Sequence, residues 1–131
     1  MRLGRARSVG LIGLEATLVD VEVSVGGGLP RTVLVGLPDA PLHEARDRCR
    51  AAVASAGFGW PEHLVTINLS PASLPKAGTH FDVAIIAAVL AANGAVPSGL
   101  LADSVLLGEV GLDGGVRPVR ADVMMINRTM D

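Results

Sequence analysis

The chain has 131 residues, half of them hydrophobic, with 16 glycines, 8 prolines and a formal charge of −2. This length suits one compact domain that buries roughly two-thirds of the surface of its unfolded chain, and the aliphatic content excludes a disordered linker. The near-neutral charge exerts no global pull on nucleic acid or anionic membrane. Phe58, Trp60 and Phe81, the only aromatic residues, are too few for a base-stacking platform or an aromatic cage.

The N-terminal stretch from Met1 to Arg7 is basic, but Gly10, Gly13 and Glu15 interrupt it before a signal core can form. Thr17 to Val25 alternates, with Val19, Val21, Val23 and Val25 on one side and Leu18, Asp20, Glu22 and Ser24 on the other, the pattern of a half-exposed strand. Gly26-Gly27-Gly28-Leu29-Pro30 is a turn into a second β-branched run, Thr32 to Val35, so the two runs are expected to form a hairpin. The triple glycine is no phosphate loop, because no Lys-Ser or Lys-Thr follows it and it leads into a strand.

After Gly36-Leu37-Pro38, Asp39 is placed to cap a helix with Pro41 in its first turn, running to about Ala56 and stopped by Gly57. Leu42, Ala45, Cys49, Val53 and Ala56 recur at helical spacing and should pack on the sheet. Arg46, Arg48 and Arg50, with Glu44 and Asp47, fill the remainder. They read as a solvated face that could also dock a partner domain or DNA phosphates. Cys49 has no cysteine to pair with and reads as a small buried side chain in a reducing compartment. With no signal core, this predicts a cytoplasmic location.

His63 to Leu69 reads as a strand with Val65, Ile67 and Leu69 on one side, and a proline-stiffened loop from Ser70 to Thr79 then leads to a helix from about Phe81 to Ala92. That helix is apolar nearly all round, so it should be the most buried. Its apolar run, Val83 to Ala92, is far shorter than the ~20 residues that span a bilayer, and no membrane association is expected. Asn93-Gly94 ends it. Val105 to Leu107, Gly108 to Leu112 and the turn Asp113-Gly114-Gly115 follow, then a strand from Val116 to Val119 that Pro118 confines to an edge.

Reactive groups are sparse. Lys76, the only lysine, is followed by Ala-Gly-Thr and makes no P-loop, so the chain cannot hydrolyse ATP by that route. His43, His63 and His80 lack the spacing of a zinc site. Ser70 and Ser73 have no evident base and read as surface or capping residues. No catalytic, cofactor or metal site is expected in this chain.

Three segments nevertheless stand at a recognisable order and spacing. Val35-Gly36-Leu37-Pro38-Asp39-Ala40 with Glu44-Ala45-Arg46-Asp47-Arg48 resembles a VGLPDxAVxESRxRVRAA block. Thr66-Ile67-Asn68-Leu69-Ser70-Pro71-Ala72, Leu74-Pro75-Lys76 and Phe81-Asp82 resemble TVNLAPADLPKxGxxFDLPIA. Leu107-Gly108-Glu109, Asp113-Gly114 and Arg117-Pro118-Val119-Arg120 resemble LGELxLDGxxRPVRG. Over residues 1–120 the chain thus resembles the N-terminal domain of the ComM/YifB group of magnesium-chelatase-like AAA+ ATPases.

The resemblance implies an α+β fold like the Lon protease domain and the second domain of ribosomal protein S5, a mixed sheet with packed helices. It also implies the position of a Lon-type Ser/Lys dyad. In the serine loop, patterned Pro-Lys-Asp-Gly-Pro-Ser, this chain has Pro75-Lys76-Ala77-Gly78-Thr79-His80, so His80 stands at the serine, and Val123 falls where the lysine would be. A His/Val pair cannot activate a nucleophile, and peptidase activity is not expected. Residues 121–131 leave the family pattern, where a further helix and strand and then the ATPase module would follow. ATP and magnesium belong to that missing module. The domain is therefore expected to lack its closing elements, leaving an apolar face that Val123, Met124, Met125 and Ile126 would cover or use for self-association.

The expected function is that of a non-catalytic module in ring assembly, interdomain packing or DNA positioning. Its partners would be the AAA+ module, further copies of the chain, and DNA held in the full-length ring, whose relatives resemble branch-migration ATPases of natural transformation. The alternatives are a divergent hydrolase using His80 with Asp82 or Glu109 near the Pro75–Gly78 loop, and a relic without function.

Overall fold

Alternating β-branched residues build the sheet, and the two helices cover one of its faces. The computed structural model describes residues 2–12, 15–71, 76, 79–97, 99, 101 and 104–117. Its elements are β1 (Arg2–Ile12), β2 (Glu15–Gly26), β3 (Arg31–Val35), α1 (Asp39–Ser55), β4 (Leu64–Ser70), α2 (Asp82–Ala92), β5 (Glu109–Val110) and β6 (Val116–Arg117). The architecture is a small α+β domain with a mixed sheet, ordered β1-β2-β4-β3, and a separate β5-β6 ribbon.

β2 presents Val19, Val21, Val23 and Val25 to the core, and β4 does the same with Val65, Ile67 and Leu69, as their alternation requires. The hairpin expected between β2 and β3 does not form. β4 lies between them, antiparallel to β2 with Val23 opposite Ile67, and parallel to β3 with Leu34 opposite the same Ile67. Between its neighbours, β4 makes hydrogen-bonded ladders on both edges. A β2–β3 hairpin would leave β4, whose core-facing residues Val65, Ile67 and Leu69 are all buried, on the outside. The β3–α1–β4 crossover joins the parallel pair.

β1 has no counterpart among the sequence expectations. It pairs antiparallel with β2 along its whole length, from Arg2 opposite Val25 to Ile12 opposite Glu15. Arg5 and Arg7 face outward and pair with Glu22 and Asp20 across the strands, while Gly4, Ala6 and Ser8 face inward. The inward residues are small because α2 lies directly on them. A Cβ at Gly4 would run into the carbonyl oxygen of Ala88.

α1 begins one residue earlier than the capping pattern suggests: Pro38 is the N-cap, its carbonyl accepting the Leu42 amide at 2.9 Å, and Asp39 is the first helical residue. Ala45, Cys49, Ala52 and Val53 are buried and Leu42 half-buried, but Ala56 is exposed, because it is the C-cap rather than part of the apolar stripe. Gly57 follows in a left-handed conformation, φ +85°. α2 packs on β1 and β2, has core side chains on most of its circumference, and ends as expected at Asn93 and Gly94. The turn at Asp113-Gly114-Gly115 closes the ribbon, with the Gly111 amide donating to the Gly115 carbonyl at 2.8 Å. Among the described residues no helix is long and apolar enough to cross a membrane. Pro118 and the 121–131 tail lie outside the described residues.

Candidate functional site

The corner where the chain enters α2 is the chemically densest part of the molecule. β4 delivers the backbone to Ser70 and Pro71, whose carbonyl accepts a hydrogen bond from Lys76 Nζ at 2.6 Å. The Lys76 side chain is buried, and burial pushes its ammonium below its ordinary value. Pro75, Ala77 and Gly78 lie outside the described residues, as does Val123.

His80, expected at the serine position of a Lon-type loop, is 9% exposed and turned into the protein. Its Nε2 lies 2.6 Å from the carbonyl oxygen of Val9, so that nitrogen carries a proton and donates. Its ring packs on Phe81, with centroids 4.2 Å apart. Leu106 donates its amide to the Arg7 carbonyl at 2.8 Å. β1 is an edge strand, and these two donors satisfy carbonyls on its outer side that would otherwise stand open. The His80 imidazole here works as a substitute for a strand partner.

Asp82, at the first turn of α2, is 1% exposed. Arg48 reaches it from α1 through two parallel hydrogen bonds, Nε to Oδ2 at 2.8 Å and Nη2 to Oδ1 at 2.9 Å. The Val110 amide of β5 donates to Oδ2 at 3.2 Å. The Asp82 hydrogen bonds hold the Arg48 guanidinium above its ordinary pKa. Beside this pair the Cys49 thiol donates weakly to the Asp82 carbonyl at 3.8 Å, and burial pushes that thiol far above its ordinary value. The backbone around Asp82 is equally engaged. The Gly108 amide donates to the His80 carbonyl and the Val83 amide to the Gly108 carbonyl, each at 3.0 Å. A Cβ at Gly108 would stand 2.6 Å from Val83 Cγ2, so only glycine admits this approach.

The three sequence blocks therefore meet at one carboxylate: Arg48 from the first, Phe81-Asp82 from the second, and Gly108 to Val110 from the third. A cleft of about 130 Å³ adjoins it, lined by Leu37, Pro41, Glu44, Arg48, Thr79 and Asp82. The arrangement binds elements together. Lys76, His80, Arg48 and Asp82 each direct a polar atom at a structural partner, and among the described residues no cluster of His, Cys, Asp or Glu could hold a metal ion.

Of the three arginines expected on one solvated face, the structure separates Arg48, which is turned inward to Asp82. Arg46 contacts Asp47 at 3.3 Å with its side chain about one-third exposed, and Arg50 is exposed. The central role of Asp82 went unrecognised in the sequence, although a signal was present: it is the only charged residue in an otherwise apolar helix, where a carboxylate needs a partner.

The family model for subunit ChlI of Mg-chelatase matches residues 21–130. The chain is 52% identical to the Mycobacterium tuberculosis protein Rv2897c over 120 residues, covering 92% of this chain and 24% of that relative. It is 40% identical to YifB of Escherichia coli over 119 residues, 91% of this chain and 24% of YifB. It is 37% identical to the competence protein ComM of Haemophilus influenzae over 126 residues, 96% of this chain and 25% of ComM. The chain thus spans about a quarter of the length of these relatives. With a family match over most of its length and blocks that converge on one buried ion pair, the chain belongs to the family of the ChlI subunit of magnesium chelatase.

Proposed function

We propose that this chain is a non-catalytic module of a larger magnesium-chelatase-like AAA+ protein, with a fold of the Lon-protease and ribosomal-S5 second-domain kind, acting in ring assembly, interdomain packing or DNA positioning. The observation that carries this reading is His80. At the position where a Lon-type nucleophile would lie, the chain has a buried imidazole whose Nε2 is donated to a backbone carbonyl. Asp82, one of the two carboxylates a hydrolytic mechanism would use, is similarly occupied, held by Arg48 and by the Val110 amide.

In this reading ATP and magnesium are handled by the ATPase module, and the partners are that module and further copies of the chain. DNA is a partner of the assembled ring. That the ComM relative is a competence protein is in keeping with it. Arg46 and Arg50 are the residues of this domain placed to meet phosphates, and a ring multiplies such modest contacts.

Titration of the chain with single-stranded and forked DNA at low salt tests the DNA part. Binding is expected to be weak, to fall as salt rises, and to lose salt dependence in Arg46→Ala/Arg50→Ala. Absence of any salt-sensitive binding removes DNA positioning and leaves packing. Peptidase and esterase screens of wild type and His80→Ala test the rest: turnover present in the wild type and lost in His80→Ala would overturn the non-catalytic reading.

A further inference from the structure

The outer edge of β1 is closed along one half and open along the other. Leu106 and His80 bond to the Arg7 and Val9 carbonyls, so these two residues turn their backbone groups away from β2. Backbone direction alternates along a strand, and Leu3 and Arg5 therefore point the same way. Among the described residues no backbone bond reaches Leu3 or Arg5 on that side. Leu3 is 64% exposed and the Arg5 side chain 80% exposed, so this half of the edge is open to solvent. It holds free donors and acceptors at strand spacing, the template that an added strand completes. β1 carries Arg2, Arg5 and Arg7 here, whereas the adjoining part of β2 offers only Glu22 and Asp20 in return. A shallow cleft of about 200 Å³ on the outer sheet face borders the same stretch, lined by Leu3, Arg5, Glu22, Ser24, Thr66 and Asn68.

We infer that the open half of β1 is a strand-addition site for an extended, acidic segment of a partner polypeptide, running antiparallel to β1 with a carboxylate opposite Arg5 and an aliphatic residue opposite Leu3. In the partner's sequence the carboxylate precedes the aliphatic residue by two positions, because both side chains must lie on the outer face. The backbone supplies the attachment, since Leu3 and Arg5 can each exchange a pair of N–H···O bonds with the residue opposite. Charge selects the partner. The arginines of β1 outnumber the carboxylates that β2 sets beside them, and a carboxylate on the added strand meets that excess. A second copy of β1 fits poorly, because antiparallel pairing through Leu3 and Arg5 would crowd the arginines of both chains onto one edge. DNA phosphates fit poorly as well: they accept hydrogen bonds but offer no donor to the Leu3 and Arg5 carbonyls. The site is short, since Leu106 already occupies the edge at Arg7. The inference does not rest on the module reading: the open edge is a property of this chain whatever it assembles with.

The test is an NMR titration of the isotope-labelled full chain with a blocked hexapeptide, Thr-Val-Glu-Thr-Val-Thr, as the probe. Saturable shifts centred on β1 are expected, with slowed hydrogen exchange at the Leu3 and Arg5 amides. No saturable shift at millimolar peptide, or shifts centred on another element, would overturn the inference. Leu3→Pro removes one outward donor and leaves the β1–β2 ladder whole, because the Leu3 amide does not bond to β2. Its affinity for the probe should fall about tenfold, and unchanged affinity would count against strand addition. A second measurement needs no variant: the same peptide with Lys in place of Glu should bind the wild type several-fold more weakly, and equal binding would overturn the choice of an acidic partner. Two further results would reassign the edge and so defeat the inference. One is a concentration-dependent dimer that the peptide dissociates, which gives the edge to a second copy. The other is a single-stranded DNA oligonucleotide that displaces the peptide from the same amides.

Discussion

Arg48 and Asp82 bring opposite charges into a region whose neighbours are aliphatic, and removing either partner strands the other. Asp82 is nearly inaccessible and accepts three hydrogen bonds, so Arg48→Ala leaves a buried carboxylate without its cation. The expected loss is about 3 kcal/mol, read from urea unfolding. A change within ~0.5 kcal/mol, the range of ordinary surface substitutions, would show that the pair is solvated in solution. Cys49 makes a second prediction. Its thiol pKa is raised by burial, so the folded protein keeps a proton that the unfolded chain releases above about pH 8.5. Stability should therefore fall as pH rises past that value, by up to ~1.4 kcal/mol per pH unit from this group, and Cys49→Ala should flatten the slope. Thiol reagents should label native Cys49 far more slowly than the protein in urea; equal rates would place the thiol at the surface. The burial of Cys49 was legible from its place on the helical stripe, but the inward turn of Arg48 was not. Periodicity locates a Cα on a helix face, whereas a long side chain chooses its partner from another element.

At the scale of elements, β1 and α2 approach so closely that side-chain size decides whether they pack. Gly4→Ala puts a methyl group against the Ala88 carbonyl and is expected to cost about 1–3 kcal/mol, measured by thermal melting. An unchanged Tm would mean that β1 moves off the helix at little cost. His80→Ala should also destabilise, by ~1–2 kcal/mol, because the Val9 carbonyl on the sheet edge loses its donor. Hydrogen exchange localised to β1 would show the effect at its source. β2, α1, β4 and α2 were all legible from periodicity and punctuation. β1 escaped because its inward positions are Gly, Ala and Ser, whose smallness is dictated by a helix about eighty residues away. The β2–β3 hairpin was a mistaken expectation for a related reason: a glycine-rich turn shows that the chain changes direction, while the neighbour of each strand is settled by which arrangement pairs β4 on both edges.

At the scale of the whole molecule, the ties between elements predict a single unfolding step. Trp60 donates to Thr32 at 2.9 Å beside β3, whereas far-UV circular dichroism reports the helices and the sheet together. The two signals should trace coincident urea transitions; separated midpoints would divide the domain at the Arg48–Asp82 link. Sequence by itself determined the strand and helix types, the apolar character of α2, the three blocks and hence the family, because these depend on local periodicity and on residue identity at fixed spacing. Only the tertiary structure decided that β4 is an interior strand, that β1 completes the sheet, that His80 seals its edge, and that the three blocks converge on Asp82. Those outcomes rest on hydrogen bonds and contacts between segments far apart in the chain, and no local pattern encodes which distant group will satisfy a buried charge or an open backbone carbonyl.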